Sequence, residues 1–326
     1  MSSSAARRRQ TIHEITPVPH RFVRGGGFFM ERCREARAAL AVTAAAVGVD
    51  FAAGRELAAF YAQMAGASWL GVAFSALLFG LITAMIAHMA QKSGAGNIFA
   101  MFRRTAGGAV GWISCALYAA ILLTAGWMLI SAAANLGALA LPLHRAPLFG
   151  AAFALLAAAW IALRGAGSMR RVGAVFVGMF AAYELALLLF ARIDSLPGML
   201  FVLELRLGGS WAAAIMLALV HAAMCACLSA GVTVRMAGDA RPARLGLWAG
   251  GIFFALLLIG NAALRNQMNE LLALEVPFVA LASCWGSAGF WISASVMYLA
   301  AVTSLSALFS ALMPGKWMLN SKYFRE

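Results

Sequence analysis

Eight stretches of this chain stay apolar for about the length of a membrane crossing, and that feature decides what it can fold into. A helix needs about 20 consecutive apolar residues to cross roughly 30 Å of hydrocarbon. The stretches lie at about 38–62, 66–90, 107–136, 147–163, 172–191, 210–234, 245–264 and 288–312. They are continuous, whereas a membrane β-barrel alternates polarity within segments of about ten residues. Only 11% of the 326 residues are charged and 63% are hydrophobic, against about 25% and 45–50% in soluble domains. A soluble enzyme and a disordered chain are both excluded. The expected fold class is an all-α polytopic membrane protein with about eight transmembrane helices.

A ninth apolar piece, Leu271 to Trp285, contains Glu275 and Pro277. It is too short to span and reads as an interfacial or re-entrant extracytoplasmic helix. The basic residues test this count. With the N-terminus in the cytoplasm, 20 of the 25 Lys and Arg fall on cytoplasmic segments. Four (Arg145, Arg192, Arg206, Arg265) fall outside, and Arg55 lies within a span. Every loop obeys the positive-inside rule, and one missed or invented helix would invert all later loops. The net charge of +13 is therefore a topology signal rather than a nucleic-acid footprint. The expected location is the cell (plasma) membrane, multi-pass, with lipid bilayer as the surrounding partner.

The first 29 residues are polar and arginine-rich, and Met30 follows. Two readings stand: a flexible, disordered cytoplasmic tail, or an over-extended start with Met30 as the true first residue. No cleavage site follows a short apolar core, so this is not a signal peptide. Five cysteines (Cys33, Cys115, Cys225, Cys227, Cys284) form no zinc-type spacing with histidines. Neither a disulfide framework nor a metal site of that kind is expected.

The first span is unlike the others. It places Gly48, Asp50, Gly54, Arg55 and Glu56 at mid-membrane depth. Ionisable groups there cost several kcal/mol unless they face protein or water, and each glycine weakens a helix by roughly 1 kcal/mol relative to alanine. The combination predicts an interrupted helix whose freed backbone groups line a cavity. The competing reading is a kinked helix in which Arg55 pairs with Asp50 or Glu56 for structure alone. The sixth span carries His221 near its middle, with Ser229 and Gly231 beyond. Interrupted helices at matching places in two halves of a chain point to a secondary-transporter site, so a break is expected there too.

The stretch Gly48-Val49-Asp50-Phe51-Ala52-Ala53-Gly54-Arg55-Glu56 resembles the first-helix signature of the YkvI-type membrane proteins. Glu275-Val276-Pro277 and Ala300-Ala301-Val302-Thr303-Ser304 fit the same family in order and spacing. The resemblance covers about residues 30–315. It implies the amino acid–polyamine–cation superfamily and its leucine-transporter-like fold of two inverted five-helix repeats. On that frame residues 1–36 form a cytoplasmic basic tail, 37–192 the first five-helix repeat and 193–208 an extracytoplasmic loop. Residues 209–313 form a partial second repeat of three helices plus the short helix 271–285, and 314–326 a cytoplasmic tail. The family has glycine where this chain has Asp50, and usually ten helices where this chain has eight. The second repeat is then incomplete, its last two helices missing, in a truncated sequence or a reduced member.

The resemblance further implies a sodium site made by the carbonyls of Ala44 and Val47, the hydroxyls of Thr303 and Ser304 and the carbonyl of Ala300. Depth can be checked independently. Taking Asp50 as the midpoint of the first span, Val47 and Ala44 lie about 4.5 and 9 Å toward the cytoplasm. Taking Ala300 as the midpoint of the eighth, Thr303 and Ser304 lie about 4.5–6 Å toward it as well. Hard oxygen ligands suit a small hard cation. Alternatively, both hydroxyls merely bond back to their own helix.

A solute would lie near Gly48, Asp50, Phe51 and His221, with Gly54, Arg55 and Glu56 as the neighbouring gating and charge-balancing group. Asp50 repels a carboxylate, which favours a substrate with an exposed amine, or proton coupling through Asp50 with His221 as relay. If Arg55 neutralises Asp50, an ordinary amino-acid site remains. The expected function is a secondary transporter of a small amine or amino acid, coupled to Na+ or H+, with no bound cofactor. The alternative is a non-transporting membrane sensor or assembly component that kept the fold. No nucleophile with its base and no nucleotide-binding loop is present, so neither an enzyme nor a pump is expected. Gly246 and Gly250 form a GxxxG pair in the seventh span that marks a helix–helix face.

Overall fold

The computed structural model describes residues 26–140, 144–191, 211–265, 274 and 276–313. The tail before residue 26, the loop at 193–208, Glu275 and the tail at 314–326 lie outside these. Among the described residues every regular element is helical.

The first expected span comes in pieces: α1 (Gly26–Ala46), α2 (Val49–Ala52) and α3 (Arg55–Phe60), then a 3-10 turn at Ala62–Ala67. Residues 26–29, expected in the tail, belong to α1. There follow α4 (Ser68–Ser93), α5 (Ile98–Ala106), α6 (Gly108–Ala140), α7 (Ala146–Leu163) and α8 (Ala166–Phe190). The remainder comprises α9 (Trp211–Met236), α10 (Pro242–Arg265), α11 (Pro277–Ala282) and α12 (Ser287–Leu312). Seven of these (α4, α6, α7, α8, α9, α10, α12) are long and apolar enough to cross a membrane. These seven make the chain a multi-pass helical membrane protein, and the remaining expected span, the first, is the one in pieces.

The broken segment sits at the centre of the bundle. Every residue from Ala41 to Val49 is buried, against α8, α9, α10 and α12. The periphery is formed by α6 and α7, which turn Trp112, Trp127, Phe153 and Trp160 outward. This division follows the bilayer's demand that irregular backbone be shielded from lipid. Small residues draw the inner helices together. A Cβ on Gly80 of α4 would lie 2.7 Å from the Gly246 carbonyl oxygen and 3.2 Å from the Gly250 Cα of α10. The GxxxG pair is thus an intramolecular face, packed on α4, where close backbone approach replaces the hydrophobic drive that lipid cannot supply.

Two further elements were not drawn as regular spans. In the basic loop after α4, Asn97 caps α5 by accepting from the Ala100 N–H at 2.7 Å, a standard helix start. Ile98 and Met101 of α5 are buried while Arg103 and Arg104 are exposed. The short piece near 271–285 gives α11, which begins at Pro277 and passes into a 3-10 turn at Ser283–Trp285. Residues 271–273 and Glu275 of the expected piece lie outside the described residues.

Candidate functional site

The site begins with backbone. The last helical bond of α1 runs from the Val47 N–H to the Thr43 carbonyl at 3.0 Å. Gly48 is then extended (φ −84°, ψ −174°) and starts α2 in a new direction. Among the described residues the carbonyls of Ala44, Ala45 and Ala46 accept no backbone N–H. The Val47 carbonyl instead accepts the Ser304 hydroxyl of α12 at 3.3 Å. A second break follows at Ala53–Gly54. Gly54 has φ +82°, a left-handed conformation that costs other residues about 1–2 kcal/mol. A Cβ there would lie 2.9 Å from the Phe278 ring. The N–H of Phe278 donates to the Ala53 carbonyl at 3.0 Å. Each break is therefore held by a different element: Ser304 of α12 at the first, Phe278 of α11 at the second. Buried backbone groups demand such partners.

Of the expected sodium ligands, Val47 and Ser304 are in direct contact. Thr303 is different: its hydroxyl donates to the Leu299 and Ala300 carbonyls of its own helix, both at 2.9 Å. It thus follows the back-bonding alternative and also occupies the Ala300 carbonyl. Ala44 and Thr303 nevertheless line one small cavity with Met169, Gly173 and Ser306. Its volume is about 10 Å³, room for about one water-sized occupant.

The solute group divides. Phe51 and His221 are both fully buried and stack with centroids 6.2 Å apart. Asp50 is half-buried. Gly48 is buried, yet a Cβ on it would meet nothing within 4 Å, so unfilled space adjoins the first break. Arg55 is exposed and forms no ion pair with Asp50 or Glu56 among the described residues. The reading in which Arg55 pairs for structure alone is set aside. Glu56 pairs with His221 instead, Oε2 to Nε2 at 3.2 Å.

The expected break in the sixth span is corrected: α9 runs unbroken over Trp211–Met236. Gly231, which suggested an interruption, serves close packing, since a Cβ there would lie 2.8 Å from the Ala311 Cα of α12. Ser229 donates within α9, to the Ala226 carbonyl at 3.3 Å. The broken-helix partner of the first span is therefore not α9, which contributes a side-chain cluster instead.

That cluster includes residues not singled out from sequence. The Nδ1 of His221 faces the Tyr61 hydroxyl at 2.6 Å and the Ser75 hydroxyl at 3.3 Å. Its Nε2 faces Glu56 and also the Cys225 sulfur at 3.5 Å. Phe60 and Phe253 join Phe51 around the imidazole, with centroids at 4.9 and 5.7 Å. Glu184 of α8 was also passed over. It is fully buried, and neither of its carboxyl oxygens has a hydrogen-bond partner among the described residues. Its signal was a single acid inside an otherwise apolar span, an arrangement that is rare without function.

At the expected cytoplasmic side the helix ends are tied by charge. Asp239 pairs with both Arg34 and Arg170. Buried Glu35 pairs with Arg244 at 3.3 Å and accepts the Arg241 N–H at 3.4 Å. These contacts clamp α1 to α8 and to the α9–α10 connection. A much larger hollow, about 1030 Å³, opens on the outer flank between α6, α7, α8 and α12. It is lined by apolar groups such as Phe149, Phe153 and Trp291, with no residue of either break in its lining. No family model and no curated protein matches this sequence.

Proposed function

We propose that the chain is a secondary transporter of a small amine or amino acid, coupled to Na+ or H+ and working by alternating access. One observation carries the reading: the first crossing is unwound at the centre of the bundle, with the Ala44–Ala46 carbonyls open and Ser304 reaching Val47. Unwound backbone at membrane depth is tolerated where it is buried in protein or lines a cavity, and in secondary transporters it coordinates ions. Helix pairing supports a leucine-transporter-like inverted repeat. The first and sixth crossings (α1, α9), the second and seventh (α4, α10) and the third and eighth (α6, α12) pack together. An inverted five-helix repeat relates those same pairs. The likeness to YkvI-type proteins, carried by Gly48 to Glu56, fits this architecture.

Asp50 carries no ion pair with Arg55, which favours an amine-bearing solute over a plain carboxylate. Phe51 and His221 are packed among aromatic rings and Asp239 ties α1 through Arg34, an arrangement that fits a state closed around the site. The two coupling ions put the burden on different residues. Sodium coupling rests on Val47 and Ser304; proton coupling rests on Asp50 and Glu184.

The test is uptake into proteoliposomes under an imposed Na+ or H+ gradient, comparing a zwitterionic amino acid with a polyamine. Gradient-driven uptake is expected, with Ser304→Ala losing Na+ dependence or Glu184→Gln losing H+ dependence. Asp50→Gly is expected to shift preference away from the polyamine. Equal, gradient-independent leak of all solutes in every variant contradicts the reading.

A further inference from the structure

The Glu56–His221–Cys225 cluster has a geometry that a hydrogen-bonded pair does not require. One ligand atom from each residue lies within 4.8 Å of the other two. Nε2 of His221 is 3.2 Å from Glu56 Oε2 and 3.5 Å from Cys225 Sγ. A tetrahedral zinc site with ordinary bond lengths places nitrogen and oxygen ligands about 3.4 Å apart, and nitrogen and sulfur about 3.6 Å apart. The observed spacings are those edges to within a few tenths of an ångström. His221 and Cys225 stand four residues apart on one face of α9, and Glu56 arrives from α3 beyond the second break.

The chemistry is selective. A thiolate and an imidazole are poor ligands for Na+, Mg2+ or Ca2+ and good ones for zinc-class divalent cations. The charges also balance: a carboxylate and a thiolate neutralise a divalent ion, the condition for holding it in a low-dielectric interior. The outer face of the imidazole is already oriented. With Nε2 on the metal, Nδ1–H donates to the Tyr61 hydroxyl at 2.6 Å, the kind of support that fixes a ligating histidine. The rings of Phe51, Phe60 and Phe253 surround it. Three protein ligands leave a fourth position for water.

We infer that Glu56, His221 and Cys225 form a binding site for one zinc-class divalent transition-metal ion, stapling α3 to α9. The inference does not depend on transport. On binding, Cys225 Sγ–H becomes Sγ–metal and its proton passes to solvent. The test uses the full chain purified in detergent and stripped with chelator, titrated with Zn2+ and separately with Co2+. One tightly held Zn2+ per chain is expected. Co2+ should give a thiolate charge-transfer band that is lost in Cys225→Ser. Glu56→Gln and His221→Gln should weaken Zn2+ binding on the order of 100-fold or more, and Tyr61→Phe by roughly 10- to 100-fold. Exposed His88 and Cys284 serve as controls, and His88→Gln and Cys284→Ser should leave binding unchanged. The Co2+ spectrum of the wild type decides the matter even where a variant does not fold. Absence of the band, or Zn2+ uptake that the control substitutions remove, overturns the site and leaves only a Glu–His pair. The metal-binding readouts are scored without reference to the gradient-driven uptake assay, so the failure of one reading is distinguishable from the failure of the other.

Discussion

Gly54 concentrates two separate costs in one residue. Its φ of +82° and the Phe278 ring 2.9 Å from where a Cβ would sit both oppose any side chain. Gly54→Ala should therefore destabilise the protein by about 1–3 kcal/mol, read from thermal denaturation in detergent. An unchanged midpoint contradicts the left-handed turn. Gly260 behaves similarly for a steric reason alone, because a Cβ there would strike Glu184 and Leu57. Gly260→Ala should lower the midpoint through overpacking, while Gly48→Ala, with open space around it, should not. At this scale the sequence was partly legible. The resemblance paired Val47 with Ser304, and helical rise agreed by putting the two at similar depth. The turn of the Thr303 hydroxyl onto its own helix could not be read, since a rotamer chooses between two acceptors. The partner of His221 was hidden for another reason: Glu56 and Tyr61 lie at the two ends of α3 and Ser75 in α4, and only packing brings them to α9.

Helices are the scale at which sequence spoke most clearly. The boundaries of the seven long helices agree with the apolar runs to within four residues, apart from α8, which starts six residues early at Ala166, because hydrocarbon thickness sets their length. Glycine was the ambiguous letter. In the first span Gly48 and Gly54 mark breaks, whereas Gly231 in α9 and Gly246 and Gly250 in α10 mark close helix contacts. Ionisable neighbours distinguish the two cases: Asp50, Arg55 and Glu56 lie within the broken segment, whereas the charges nearest the packing glycines, Arg235 and Arg244, stand at helix ends. α5 escaped notice because its nine residues fall far short of a span. The α4–α10 crossing offers a direct check. Gly80→Val forces branched carbons against the Gly246 carbonyl and should destabilise by about 1–3 kcal/mol or more, measured by the same denaturation. A neutral result would mean that these helices do not touch as described.

For the whole molecule, the arrangement of charge and the broken crossing belong together. If the pieces α1 to α3 carry the chain across the bilayer once, both tails lie on the cytoplasmic side. Reporter fusions at residues 1 and 326 should then report the same, cytoplasmic, compartment; opposite compartments would mean that the first segment does not cross. The ties of Asp239 to Arg34 and Arg170 hold the N-terminal half of α1, the end expected on the cytoplasmic side. Asp239→Asn should therefore loosen the clamp and raise labelling of the break from the cytoplasmic face. The central claim is that the first crossing is unwound beside water-accessible space rather than rod-like against apolar neighbours. The direct measurement is labelling of Gly48→Cys by a membrane-impermeant thiol reagent, with the five native cysteines replaced and lipid-facing Leu123→Cys as reference. The account predicts that the cysteine at position 48 is modified and that a transported amine protects it, while the one at position 123 stays unmodified. A position 48 as unreactive as position 123 in every ionic condition would contradict it.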